Sequence, residues 1–322
     1  MVVYLLLILG FALLIKGAGH LVKGASSLAK ILKVSDLIIG LTIVSFGTSM
    51  PEFVVNIVAS FRGNADIAIG NVIGSNIFNI LVILGVSSVI LPLVVTRRTV
   101  WIEIPITLLA VAMLAIMANS HIITKSNFHG LSSLNGVILI LFLVGFMYYI
   151  FHIAKREKKS IIESESEHLE ILPLPKSIFA IIVGFIGLVV GAQLVVNSAV
   201  TIADKLGVSE SLIALTIVAA GTGLPELATS AVAAYKKNSD IAVGNIVGSN
   251  ILNVFMVLGI SSTIKPIPLQ PRNNIDIGVA ILASLILFVT MFTGKKRILE
   301  RWEGIIFLMM YIAYTAYLIK QG

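Results

Sequence analysis

Two glutamates follow prolines inside long apolar stretches: Glu52 in "GTSMPEF" at 47–53 and Glu226 in "GTGLPE" at 221–226. A charge at the centre of a bilayer costs about 3 kcal/mol on insertion scales, so neither side chain would persist there uncompensated. The means of compensation are a basic partner, a proton or a metal cation. The apolar segments around both glutamates hold no Lys or Arg until Arg62, Lys236 and Lys237 in the loops. Protonation or a bound cation remains. Two carboxylates with carbonyl oxygens describe a hard-cation site and balance the charge of one Ca²⁺. The chain has no cysteine, and neither motif holds a histidine, which argues against zinc or copper.

The prolines add oxygen donors. Pro51 and Pro225 lack an N–H, so the carbonyls of Gly47 and Gly221 lose their helical donor. Such breaks are tolerated in a membrane only where they face protein or a wet cavity. A kink healed by its neighbours is the plain alternative. Its recurrence at two matched positions, each followed at once by Glu, favours cation binding. Further oxygens come from "GNVIGSNIFN" and "GNIVGSNILN" at 70–79 and 244–253. Asn71, Ser75 and Asn79 recur every four residues and share a helix face, as do Asn245, Ser249 and Asn253. Neutral oxygens suit Na⁺; the alternative use is interhelical hydrogen bonding, worth about 0.6 kcal/mol per contact. Gly70 and Gly74, like Gly244 and Gly248, form GxxxG pairs that permit close backbone approach.

The elements that hold these residues are expected to be membrane helices. Of 322 residues, 57% are hydrophobic and 12% charged. Ten apolar runs are long enough to cross a bilayer, at about 2–24, 36–59, 67–90, 100–118, 134–154, 177–200, 210–234, 241–264, 276–293 and 304–319. The first lacks a basic n-region and is read as a retained span. The net charge of +7 fits basic cytoplasmic loops better than a nucleic-acid partner. Loops after odd-numbered spans carry sixteen basic residues and the other side six, which places the first set in the cytoplasm and both termini outside.

The chain also repeats itself. "LTIVSFGTSMPE" at 41–52 returns as "LTIVAAGTGLPE" at 215–226, and "DIAIGNVIGSNIFN" at 66–79 as "DIAVGNIVGSNILN" at 240–253. Both share one offset, 226 − 52 = 174. Near the end the offset is 168, matching "NGVILI" at 135–140 to "EGIIFL" at 303–308. Five spans per copy force the second copy to enter the membrane upside down, the plan of secondary transporters with sites at the midplane between repeats. The expected fold is an all-α membrane protein of ten transmembrane helices in two inverted five-helix repeats. The repeats cover 1–153 (motif 41–85) and 177–322 (motif 215–259), joined by a charged, Ser/Glu-rich cytoplasmic linker at 154–176.

The paired motifs "GTSMPE…GNVIGSN…N" and "GTGLPE…GNIVGSN…N" resemble the α-repeats of the Na⁺/Ca²⁺ exchangers in the cation/Ca²⁺ exchanger superfamily, most of all the prokaryotic members. The resemblance spans the whole chain and implies Na⁺/Ca²⁺ antiport by alternating access, with both ions as substrates and no cofactor. It implies that Glu52 and Glu226 are shared central ligands and that the Thr48 and Thr222 carbonyls complete the Ca²⁺ site. It gives flanking Na⁺ sites the carbonyls of Ser45 and Ala219 and the hydroxyls of Ser49, Ser75, Thr222 and Ser249. Asn79 and Asn253 line the centre. Gly223 departs from the pattern, since the position repeating Ser49 usually bears a hydroxyl. Asn253 is often Asp in K⁺-dependent relatives and so leans against K⁺ cotransport. The short linker lacks the Ca²⁺-sensing domain of animal exchangers, and no protein partner is implied beyond the bilayer.

Two rival readings stay open at this stage. A H⁺/Ca²⁺ antiporter could neutralise the same glutamates with protons. An intramembrane enzyme would need a nucleophile–base pair or an H-E-x-x-H motif, and the chain has none. The buried acids argue against a purely structural protein. Lys16, with His20 and Lys23 at i+4 and i+7, lies mid-span and is expected to snorkel. Glu103 and Asp276 are expected at membrane interfaces.

Overall fold

The computed structural model describes residues 2–63, 65–120, 128–161, 172–205 and 221–321. The described chain is mainly helical: α1 Val2–Leu32, α2 Asp36–Thr48, α3 Met50–Arg62, α4 Ala68–Ile90, α5 Thr99–Ala118, α6 Ser133–Ile161, α7 Leu174–Lys205, α8 Leu224–Tyr235, α9 Ser239–Ile264, α10 Asn273–Thr290 and α11 Arg301–Gln321. Eight of these are long and apolar enough to cross a membrane, and the bent pair α2–α3 makes a ninth if counted as one span. The expected seventh span at 210–234 falls partly outside the described residues, which hold only its end, α8.

Several helices outrun the expected apolar runs. α1 extends eight residues past 24, α6 continues to Ile161, and α7 begins at Leu174. The expected linker therefore loses both ends to helix. Lys, Arg and Glu at 155–159 are good helix formers once past the hydrocarbon, so hydropathy alone marks the end too early.

α1 and α7 pack antiparallel along their length through small residues. A Cβ on Gly10 would fall 3.0 Å from the Gly191 carbonyl, one on Gly17 2.9 Å from that of Gly184, and one on Gly24 2.8 Å from that of Ser177. With 31 and 32 residues, both helices exceed the roughly 20 that a bilayer requires. Lys16, His20 and Lys23 lie exposed on α1.

α2 crosses α9, where a Cβ on Gly244 would fall 2.9 Å from the Leu37 carbonyl and one on Gly248 2.7 Å from that of Leu41. Gly244 and Gly248 thus make the expected close approach. At Gly70 and Gly74 no described atom comes within 4 Å of a Cβ. The segment repeating 37–45 is 211–219, which lies outside the described residues.

The all-α expectation misses four two-residue strands. β1 (Leu93–Val94) pairs antiparallel with β4 (Ile298–Leu299), and β2 (Gly130–Leu131) with β3 (Ile267–Pro268). Such bridges satisfy backbone groups in the connections between helices, and two residues are too few to leave a periodic signal. Leu93 pairs with Leu299 and Leu131 with Ile267. In repeat numbering these are one contact made twice, with the roles of the halves exchanged.

Glu103 lies near the start of α5, as expected, but its side chain is enclosed by protein. It is fully buried, with Arg98 Nε 3.1 Å away and the Tyr149 hydroxyl donating at 2.7 Å. Arg98 also reaches Glu157 at 2.7 Å, and Glu157 accepts the Ser35 N–H at 2.9 Å. Burial works against the Arg98 charge, but Glu103 and Glu157 outweigh it and raise its pKa above the usual arginine value. Asp276 is half-buried and accepts from the Tyr314 hydroxyl at 2.8 Å.

Candidate cation site

The break before each glutamate places it at a helix start. α2 ends at Thr48, Ser49 takes φ −80° and ψ 5°, and α3 sets off at 47° with Pro51 in its first turn. Gly223 takes φ −80° and ψ 0° before α8, which has Pro225 in its first turn. Glu52 and Glu226 thus occupy first turns, where exposed N–H groups and the helix dipole favour negative charge by about 0.3–1 kcal/mol. That offsets only part of their desolvation: each glutamate is 1% exposed.

The two carboxylates are neighbours. Glu226 acts electrostatically on Glu52, whose carboxylate is faced by the hydroxyls of Thr222 and Ser75. Those of Thr48 and Ser49 face Glu226, and Ser49 Oγ donates to Glu226 Oε1 at 3.3 Å. Each acid is therefore attended by hydroxyls of the other half's break. Among the described residues, no lysine or arginine acts on either acid.

Among the described residues, six oxygens in this region are buried without a hydrogen-bond partner: Glu52 Oε2, Asn79 Oδ1, Thr222 Oγ1, Glu226 Oε2, Ser249 Oγ and Asn253 Oδ1. An orphaned buried polar group costs about 1–3 kcal/mol. Six such groups amount to ~6–18 kcal/mol, comparable with the ~5–15 kcal/mol net stability of a whole domain. All six can accept, Thr222 and Ser249 through hydroxyls that also donate, so the oxygen set suits a hard cation. Ser45 and Thr48 are buried at the end of α2, and the Thr48 hydroxyl donates to Asn245 Oδ1 at 2.9 Å. Ser49 and Ser75 are also buried, while Ala219 lies outside the described residues.

The polar stripes divide their labour. Asn71 Nδ2 donates to the Glu52 carbonyl at 3.3 Å and to Asn56 Oδ1 at 2.6 Å. Asn245 Nδ2 donates to the Glu226 carbonyl at 3.4 Å and to Ser230 Oγ at 3.0 Å. Asn56 and Ser230 in turn donate to the carbonyls of Ala68 and Ala242 at 2.9 and 3.2 Å. At Asn71 and Asn245 interhelical bonding is what the side chain does, and it braces the glutamate backbone. Sequence reasoning missed Asn56, Ser230, Asn76 and Asn250. For Asn76 and Asn250 a signal existed, since both close a repeated "GSN". One residue beyond Phe78 and Leu252 the helices widen into π turns, Asn79–Leu84 and Asn253–Leu258, and π turns cluster at functional sites.

A family model described as sodium/calcium exchanger protein matches residues 2–152 and 176–320. The chain belongs to the sodium/calcium exchanger family. Among relatives of this exchanger-family chain is the sodium/calcium exchanger MaX1 of Methanosarcina acetivorans, 31% identical over 345 residues and 98% of each chain. Another, the putative antiporter CaxA of Alkalimonas amylolytica, is 37% identical over 297 residues and 91% of each. A solved structure of the sodium-calcium exchanger NCX_Mj superposes with a TM-score of 0.81 at 32% identity, covering 98% of each chain. Membership makes this chain a multi-pass cation exchanger of the bilayer and accounts for a polar core inside an apolar shell.

Proposed function

We propose that this exchanger-family protein trades Na⁺ for Ca²⁺ by alternating access, normally extruding Ca²⁺ from the cell on the inward Na⁺ gradient. The observation that carries the reading is the pair of buried glutamates, one from each helical break, among oxygens that nothing in the described chain satisfies. Glu52 and Glu226 are the shared ligands. The Thr48 and Thr222 carbonyls complete the Ca²⁺ set. Ser45, Ala219, Ser49, Ser75, Thr222 and Ser249 serve Na⁺, and Asn79 and Asn253 line the centre. Bare carboxylates in a dry core are costly, so the change of access proceeds only when cations neutralise them, and this couples the two fluxes.

Ten spans in two inverted five-span repeats, 1–153 and 177–322, form the scaffold. The doubled contacts support this plan: Asn71 to the Glu52 carbonyl recurs as Asn245 to the Glu226 carbonyl, and the β1–β4 pairing recurs as β3–β2. The small-residue seam holds α1 and α7 together as a pair, and rocking of that pair against the rest is what would expose the site to alternate sides. The plasma membrane is the proposed location, with the odd-numbered loops cytoplasmic and both termini outside. On that cytoplasmic side a cavity of about 1050 Å³ opens among Lys23, Lys30, Asp36, Lys236, Asp240 and Lys296.

The test is ⁴⁵Ca²⁺ uptake into Na⁺-loaded proteoliposomes, comparing the wild type with Glu52→Gln and Glu226→Gln. Both substitutions are expected to abolish uptake; uptake unaffected by either removes the site assignment. The competing H⁺/Ca²⁺ antiport predicts uptake that follows an imposed pH gradient and ignores Na⁺.

A further inference from the structure

α4 and α9 exchange an unusual set of amide hydrogen bonds. Asn76 Nδ2 donates to the backbone carbonyl of Asn250 at 3.2 Å. A carbonyl cannot donate, so this bond fixes which end of the Asn76 amide faces α9. Asn76 Oδ1 is thereby turned to accept from Asn253 Nδ2, at 3.0 Å. With its nitrogen engaged, the Asn253 amide holds its Oδ1 the other way, buried and unbonded. The mirror bond runs from Asn79 Nδ2 to Asn250 Oδ1 at 2.9 Å, and Asn79 Oδ1 is likewise buried without a partner.

We infer that Asn76 and Asn250 are positioning residues that lock the amides of Asn79 and Asn253 oxygen-first toward the transported cation. The inference rests on the reading of the centre as a cation site. A free asparagine amide can present either its acceptor or its N–H₂ end, and the second repels a cation. A carboxylate in the same place would need no such control, since both its ends accept. Neutral ligands at 79 and 253 therefore depend on a neighbour that takes up their nitrogen. Asn76 and Asn250 do this from the opposite repeat, and for Asn253 the lock is anchored to main chain.

The test is a double-mutant cycle on the full-length protein in detergent, read as ⁴⁵Ca²⁺ binding without Na⁺. Asn76→Leu keeps shape but frees the Asn253 nitrogen, and it is expected to weaken binding about tenfold or more, as loss of an outer-sphere partner of a metal ligand does. In Asn253→Asp there is no amide to turn. Adding Asn76→Leu to that background is expected to cost little, so the two changes are strongly non-additive. The mirror cycle, Asn250→Leu with Asn79→Asp, serves if Asn76→Leu fails to fold. Binding unchanged by Asn76→Leu, or an equal loss in the Asn and Asp backgrounds, overturns the inference and leaves a merely structural bond. Glu52→Gln in the same assay tests the underlying reading separately: binding that survives it dismisses the cation site itself, whatever the cycle gives.

Discussion

The seam between the long helices and the broken ones can be challenged at Gly47. Phe185 of α7 lies directly against this residue, one step before the end of α2. A Cβ on Gly47 would fall 1.9, 2.0 and 2.6 Å from Cζ, Cε1 and Cε2 of the ring. Carbon atoms pack at about 3.5–4.0 Å, so the ring must retreat by ~1.5–2 Å or α7 must shift. Overpacking of this kind costs about 1–3 kcal/mol. The whole of that cost falls on the arrangement in which Phe185 covers the break. If α1 and α7 slide between two arrangements, Gly47→Ala shifts their balance by roughly 5- to 150-fold, at tenfold per 1.4 kcal/mol. Na⁺-dependent ⁴⁵Ca²⁺ exchange in proteoliposomes is expected to slow by up to that factor. Phe185→Ala removes the obstacle and in the double variant is expected to restore most of the rate. A double variant as slow as Gly47→Ala alone would show that the glycine matters for backbone reasons and that the ring does not move during turnover.

Other outcomes follow from single contacts. Gly223→Ser should be tolerated, because φ −80° and ψ 0° suit any residue, and its hydroxyl would mirror Ser49. With about 1 kcal/mol for one added oxygen contact, the Na⁺ concentration that half-inhibits ⁴⁵Ca²⁺ binding should fall roughly fivefold. Arg98→Ala leaves Glu103 buried beside Tyr149 with its cation gone, and detergent unfolding should show a loss of about 3 kcal/mol. Gly17→Ile drives a branched side chain into the Gly184 carbonyl, and should lower the melting temperature by forcing α1 from α7. Trimming the Asn71 brace with Asn71→Ala should weaken ⁴⁵Ca²⁺ binding by tilting the Glu52 backbone, while Asn71→Asp should not rescue it, since the bond needs a donor.

The central acids were legible in sequence because they depend on local facts: a proline, a glutamate, and their return 174 residues later. The eight described long helices were legible because each is apolar over at least 18 residues. What escaped depends on contact between distant segments. Asn76 and Asn71 are both amides on α4, yet one bonds across to α9 and the other to α3, and spacing along one helix does not reveal which neighbour lies on which side. Glu103 was legible as an acid near a span start, but its enclosure was not, because it depends on Arg98 folding back over it and on Tyr149 from α6. Helix ends were misjudged at Ile161 and Leu174, where the chain stays helical after hydropathy falls.

Because the bonds around the glutamates come in matched pairs, the molecule supplies its own internal controls. Asn56 and Ser230 hold equivalent braces, one through an amide and the other through a hydroxyl. On the inverted plan proposed above, altering first one and then its twin disturbs the same joint from opposite faces of the membrane. A difference between the two phenotypes then reports which face limits the rate, with no need to trap either conformation.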